Sequence, residues 1–207
     1  MLDTELVPAM EKKSRRLMVV LHGLGDSIEG YRWLSPALRL PWLNYLVVNA
    51  PDPYFGGFAW YDFSGDAGTG VERSRALLFE LLDEQRKRGW PTEQTTLFGF
   101  SQGSLMTIEL GLRYPHRFAG LVGISGYVHE PERLIQEMSS VALQQRFLNT
   151  HGTEDPLIPF PEVREQINRL KAEGLHIEWH EIAKAHTIAG EAELGIIRDF
   201  VRKGFER

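Results

Sequence analysis

Apolar residues in this chain fall into two kinds of segment. Residues 16–21, 43–49 and 118–125 are nearly unbroken apolar runs, 95–100 is β-branched and apolar, and 147–151 is a further strand that opens on Phe147-Leu148. Runs of that length read as strands buried on both faces. Residues 176–182 alternate instead, with Ile177, Trp179 and Glu181 on one side. Between the runs, apolar positions recur every three or four residues. Leu77, Leu78, Leu81 and Leu82 give a helix over 71–88, with Gly89 placed to end it. Val163, Ile167 and Leu170 give a helix over 161–173, and Leu194, Ile197, Phe200 and Val201 one over 190–205. A further helix runs from 102 to 114, where Pro115 stops it, and short ones fit 31–38 and 131–138. Residues 1–15 are open between an edge strand and a loose arm. Residues 51–70 form the longest irregular stretch, rich in glycine and aromatic rings. Strands thus alternate with helices, which predicts an α/β fold: a mostly parallel, twisted sheet with helices on both faces. No repeat, linker or low-complexity segment interrupts residues 1–207, so a single domain is expected. Ligands of such sheets gather at the carboxyl ends of the strands. The loops after Leu21, Phe100, His151 and Ile182 should therefore share one rim.

Composition narrows the classes. Hydrophobic residues make up 43% and charged residues 25%, so the chain can bury a core. With Lys plus Arg 23 and Asp plus Glu 28 the net charge is −5, which argues against a nucleic-acid partner. There is no cysteine, so disulfides and thiolate catalysis are excluded. No apolar run is long enough to span a membrane, and residues 1–16 lack the apolar core of a signal peptide. A soluble, cytoplasmic protein is the expectation.

The candidate chemistry sits in Gly99-Phe100-Ser101-Gln102-Gly103, between a predicted strand and a predicted helix. A G-x-S-x-G pentapeptide can be no more than a glycine-tolerant turn. Where a strand reverses into a helix, however, it becomes a nucleophile elbow that pushes the serine outward. Ser101 then needs a base. Of seven histidines, His22, His151 and His186 follow predicted strands. His186 lies in a loop of small residues where its ring can reach Ser101. Asp155, in the turn before Pro156, is the carboxylate to orient it, with Glu154 as fallback. The order Ser101, Asp155, His186 is that of α/β-hydrolases. Oxyanion donors are expected from the backbone N–H of Gln102 and of Leu24, in the loop His22-Gly23-Leu24-Gly25-Asp26. Phe55, Trp60 and Tyr61 are candidates for the apolar wall of an acyl pocket.

These segments resemble a known group, the small serine esterases of the phospholipase/carboxylesterase type, which include acyl-protein thioesterases. The resemblance rests on His22-Gly23-Leu24-Gly25-Asp26, Trp60-Tyr61-Asp62, the pentapeptide around Ser101, His151-Gly152-Thr153-Glu154-Asp155-Pro156 and Ala185-His186-Thr187-Ile188. It implies an α/β-hydrolase fold without a large cap, the same triad, and no metal or other cofactor. It also implies an ester or thioester substrate, which in some relatives is an acylated protein. Two features depart from the pattern: Ala185 stands where glycine is common, and residues 53–59 follow it only loosely. Two other functions use the same fold: a non-catalytic ligand-binding module, and acyl transfer to an alcohol by the same triad. An exposed aromatic loop could also mark a contact between two copies of the chain.

Overall fold

A computed structural model describes residues 1–206. The chain forms a seven-stranded sheet in the order β1-β3-β2-β6-β7-β8-β9. The strands are β1 (Thr4–Val7), β2 (Arg16–Leu21), β3 (Leu43–Val48), β6 (Thr95–Phe100), β7 (Gly120–Ile124), β8 (Arg146–Gly152) and β9 (His176–Ile182). All neighbours pair in parallel except β1, which runs antiparallel along β3. The open question at the N-terminus is thus resolved in favour of an edge strand. A two-stranded antiparallel ribbon, β4 (Asp52–Tyr54) with β5 (Gly57–Ala59), stands apart from the sheet.

The continuous apolar runs exist because both faces of the sheet are covered. Along β2, Leu17, Val19 and Leu21 enter one core, and Met18 and Val20 enter the other. The first core is closed by α2 (Ala67–Lys87), α3 (Gln102–Arg113), α4 (Pro131–Gln136) and α5 (Phe160–Ala172), through Leu78, Leu81, Ile108, Leu112, Leu134 and Ile167. The second is closed by α1 (Leu34–Leu38) and α6 (Gly190–Phe205), through Leu34, Leu38, Ile197, Phe200 and Val201. No inserted element among the described residues is large enough to form a cap. Nor is any helix long and apolar enough to cross a membrane.

Three boundaries differ from the sequence reading. Helix α2 begins at Ala67 rather than at residue 71, because Asp66 caps it: its carboxylate accepts the Gly68 N–H at 3.0 Å and the Thr69 hydroxyl at 2.5 Å. Gly68 and Gly70 argue against a helix there. Gly70 is nevertheless required, since a Cβ would lie 2.7 Å from that of Tyr61. The short helix expected over 31–38 splits into a 3₁₀ turn at Glu29–Tyr31 and α1. The stretch 51–70 is less irregular than its composition suggests, since it contains the ribbon and the first turn of α2.

Helix α3 leaves the middle of the sheet and is buried from Gln102 to Leu112. Gln102, Thr107 and Glu109 are paired there, while the Ser104 hydroxyl meets no hydrogen-bond partner among the described residues. The Glu109 carboxylate accepts from Arg75 at 3.0 Å and from Arg113, and the Thr107 hydroxyl donates to Gly103 O at 2.9 Å. Packing at its start is so close that two glycines are obligatory. A Cβ on Gly103 would lie 2.1 Å from Leu21 O, and one on Gly99 would lie 2.1 Å from Gly103 O. Backbone atoms on both sides cannot give way cheaply. Gly103→Ala is expected to destabilise the fold by about 1–3 kcal/mol, as overpacking does, read as a lower urea midpoint at unchanged m-value.

Candidate active site

The reversal from β6 into α3 forces Ser101 to φ 54° and ψ −115°, a backbone region that L-residues avoid. Two contacts hold it there: Ser101 N–H donates to Ile124 O at 2.9 Å, and the glycine approaches close the turn. A serine at a helix N-cap usually offers its oxygen to the helix backbone. Ser101 makes no such bond. Its Oγ lies 2.9 Å from His186 Nε2 instead.

His186 stands in the loop between β9 and α6, with its ring against Phe100, centroids 5.0 Å apart. Its Nδ1 lies 2.7 Å from Asp155 Oδ2. Because a carboxylate can only accept, Nδ1 carries the hydrogen and Nε2 presents its lone pair to the Ser101 hydroxyl. Asp155 follows β8 and is 8% exposed. Its Oδ1 accepts the N–H groups of Leu157 at 2.9 Å and Ile158 at 3.0 Å. Burial opposes ionisation of this carboxyl, but the bonds from Ile158, His186 and Leu157 outweigh it and hold the group below its ordinary value. Glu154, the fallback acid, is exposed on the far side of the turn. Asp199 lies on the exposed face of α6, beside Arg202.

The loop after β2 is stitched in place from several directions. Ala50 N–H donates to His22 Nε2 at 3.0 Å, so His22 is protonated at Nδ1, which donates to Gly23 O at 2.6 Å. Trp60 Nε1–H donates to His22 O at 2.9 Å. Gly25 N–H donates to Phe58 O at 2.8 Å, and Phe58 N–H donates to Asp26 O at 2.9 Å. Between these bonds the Leu24 N–H has no partner among the described residues. Gln102 N–H opens α3, where no intrahelical acceptor exists. Both therefore remain available beside Ser101.

A cleft of about 340 Å³ runs over Ser101, bounded by Leu24, Tyr61, Phe63, Tyr127, Leu157 and Ile158. Phe63 and Leu157 stand exposed at its mouth. Of the three aromatic residues singled out from the sequence, only Tyr61 lines the cleft. Trp60 is fully buried beneath the loop it bonds, and Phe55 is 96% exposed at the tip of the ribbon, against Tyr54 only. Composition marks an aromatic loop but not which ring faces inward. Phe63, Tyr127, Leu157 and Ile158 were missed because they lie in three separate irregular segments.

The sequence reading also passed over two roles. The Gln102 side chain accepts from Trp60 N–H at 2.9 Å and donates to Tyr61 O at 3.0 Å, tying the elbow to the aromatic stretch. His151, fully buried beside Trp179 and Phe160, donates from Nε2 to Ile158 O at 3.0 Å and so braces the Asp155 turn.

The Phospholipase/Carboxylesterase family model matches residues 2–204. The chain belongs to the phospholipase/carboxylesterase family. Among relatives, acyl-protein thioesterase 1 of Schizosaccharomyces pombe is 33% identical over 155 residues, 69% of each chain. That of Yarrowia lipolytica is 26% identical over 91% of this chain and 92% of its own. The crystal structure of esterase PE8 superposes with a TM-score of 0.88 at 27% identity, covering 98% of both chains. The Bacillus cereus carboxylesterase gives 0.84 at 17% identity, covering 99% of this chain and 95% of its own, which speaks to the fold. The protein is thus a carboxylesterase/acyl-protein thioesterase family enzyme with an α/β-hydrolase fold and no large cap.

The buried imidazoles of this phospholipase/carboxylesterase member set an acid limit on stability. Burial pushes both His22 and His151 below the ordinary 6.5. The unfolded chain therefore binds protons that the folded chain refuses, and stability rises with pH across that window. The contribution is complete above about pH 6.5 and is lost as pH falls below it. Urea unfolding free energies are expected to fall between pH 8 and pH 5, with a shallower slope in His151→Asn.

Proposed function

We propose that the protein hydrolyses carboxylic esters or thioesters through an acyl-enzyme on Ser101. The observation that carries this is the continuous relay in which His186 Nε2 lies 2.9 Å from Ser101 Oγ and His186 Nδ1 lies 2.7 Å from Asp155 Oδ2, opening into an apolar cleft. Ser101 Oγ attacks the carbonyl carbon while its proton passes to His186 Nε2. The oxygen that gains charge is received by the N–H groups of Leu24 and Gln102, fixed before substrate arrives. Collapse of the tetrahedral intermediate breaks the bond to the leaving alcohol or thiol, which takes the proton from His186. Water then attacks the acyl-Ser101 ester, giving a proton to His186; collapse breaks the acyl bond to Ser101 Oγ, which takes that proton back, and the carboxylic acid departs. Asp155 stays ionised throughout and steadies the imidazolium.

The acyl group lies in the cleft, with Tyr61 and Ile158 along it and Phe63 and Leu157 at its mouth. Two relatives carry the name acyl-protein thioesterase. We accordingly take acylated proteins, alongside small esters, as the substrate class.

A fluorophosphonate probe should label wild-type protein at Ser101. Ser101→Ala should abolish labelling and lower kcat for aryl esters by roughly 10⁴–10⁶-fold. Wild-type-like turnover in that variant would sink the mechanism. Against acyl esters of rising length, Leu157→Trp should narrow the mouth. Its kcat/KM should drop by about tenfold for long chains while acetyl esters change little. Phe55→Ala should leave both within about twofold, because Phe55 lies outside the cleft.

A further inference from the structure

Glu193, in the first turn of α6, is fully buried, and no step of the chemistry above uses it. Its carboxylate accepts three hydrogen bonds, one from β8 and two from the loop between β9 and α6. The Thr150 hydroxyl on β8 donates at 2.5 Å, the Lys184 ammonium at 2.6 Å, and the Ala189 N–H at 2.5 Å. Lys184 is itself 5% exposed. Burial pushes its ammonium down, while Glu193 and then Asp155 favour the charged form.

The two loop residues gripped in this way flank His186. Lys184 stands two positions before it and Ala189 three after. The carbonyl of Lys184 is held as well: it accepts Glu154 N–H at 3.2 Å and approaches Gly152 so closely that a Cβ there would lie 2.3 Å from it. Lys184 is therefore pinned at its carbonyl by the segment bearing Asp155 and at its ammonium by α6. Apart from the bonds of the His186 ring, the main chain of the loop makes local turns, Thr187 N–H to Ala185 O and, just past Ala189, Gly190 N–H to Ile188 O. An apolar pair of equal volume would serve stability as well as a buried ion pair does, or better. What charge-assisted bonds add is direction.

We propose that Glu193 is a positioning residue for the general base. By holding Lys184 and Ala189, it fixes where the His186 ring stands between Asp155 and Ser101. The proposal rests on the reading of Ser101, Asp155 and His186 as the reacting relay. Misplacing a reacting group by about 1 Å costs on the order of a hundredfold in rate. Losing the clamp should therefore act on turnover more than on acyl binding, since neither Glu193 nor Lys184 lines the cleft.

The test compares wild type, Glu193→Ala, Glu193→Gln and Lys184→Met, each confirmed as folded by circular dichroism at the assay temperature. Glu193→Ala should lower kcat by about tenfold to a hundredfold with KM within about threefold. Glu193→Gln keeps one acceptor oxygen, enough for Ala189 or for the Thr150 and Lys184 side, and should recover part of that loss, and Lys184→Met should fall between. Imidazole N–H spectra of ¹⁵N-histidine protein, assigned by the signal missing in His186→Gln, read the same effect without substrate. The His186 signal should be sharp in wild type and broadened in Glu193→Ala. Wild-type kcat or an unmoved His186 signal in folded Glu193→Ala overturns the proposal. If that variant does not fold, the same two results in Glu193→Gln overturn it. Failure of the hydrolase reading would appear separately, as wild-type protein that the fluorophosphonate does not label.

Discussion

The contact on which everything else depends is backbone on backbone. Gly103, at the start of α3, sits against Leu21 O at the end of β2, with no room for a single added carbon. That approach lets the helix leave the sheet directly behind β6. It also holds Ser101 in a conformation the residue would not choose. The strain is local, and the restraint comes from the two strands flanking β6: β2 through Leu21 and β7 through Ile124. A central strand is the one place in an open sheet where restraint is available from both sides.

The remaining parts attach to that point by hydrogen bonds between side chains and the main chain. His22 ties the loop bearing Leu24 to Ala50, Trp60 ties it to the aromatic stretch, and the Gln102 amide ties that stretch back to the elbow. The result is a closed circuit of neutral groups around two unpartnered N–H donors. A charged imidazole at His22 would break it, because Nε2 must accept. Burial supplies the neutrality that the circuit requires.

Much of this architecture is legible in the residues. The unbroken apolar runs mark strands covered on both faces, and 190–205 is bounded in the structure as its periodicity predicts. Ser101, Asp155 and His186 were identifiable because each must follow a strand on one rim, and the structure brings their side chains together. What stayed hidden has a common cause. Asp66 begins α2 ahead of Gly70, whose need is set by Tyr61, a neighbour that composition does not reveal. Trp60 and Phe55 look alike as letters but lie at opposite extremes of burial. Glu193 reads as an ordinary acid at a helix start, since its partners come from β8 and from a loop. Periodicity reports which side of an element is buried, and says nothing of what an irregular segment meets.

Leu157 and Ile158 serve two masters at once. Their N–H groups hold the Asp155 carboxylate, while their side chains face the cleft. Since a backbone donor survives every side-chain replacement except proline, the wall of the cleft can be recut at these positions while the carboxylate keeps its bonds. One pair of residues thus shapes the cleft with its side chains and holds the carboxylate with its main chain, two tasks that a side-chain change separates.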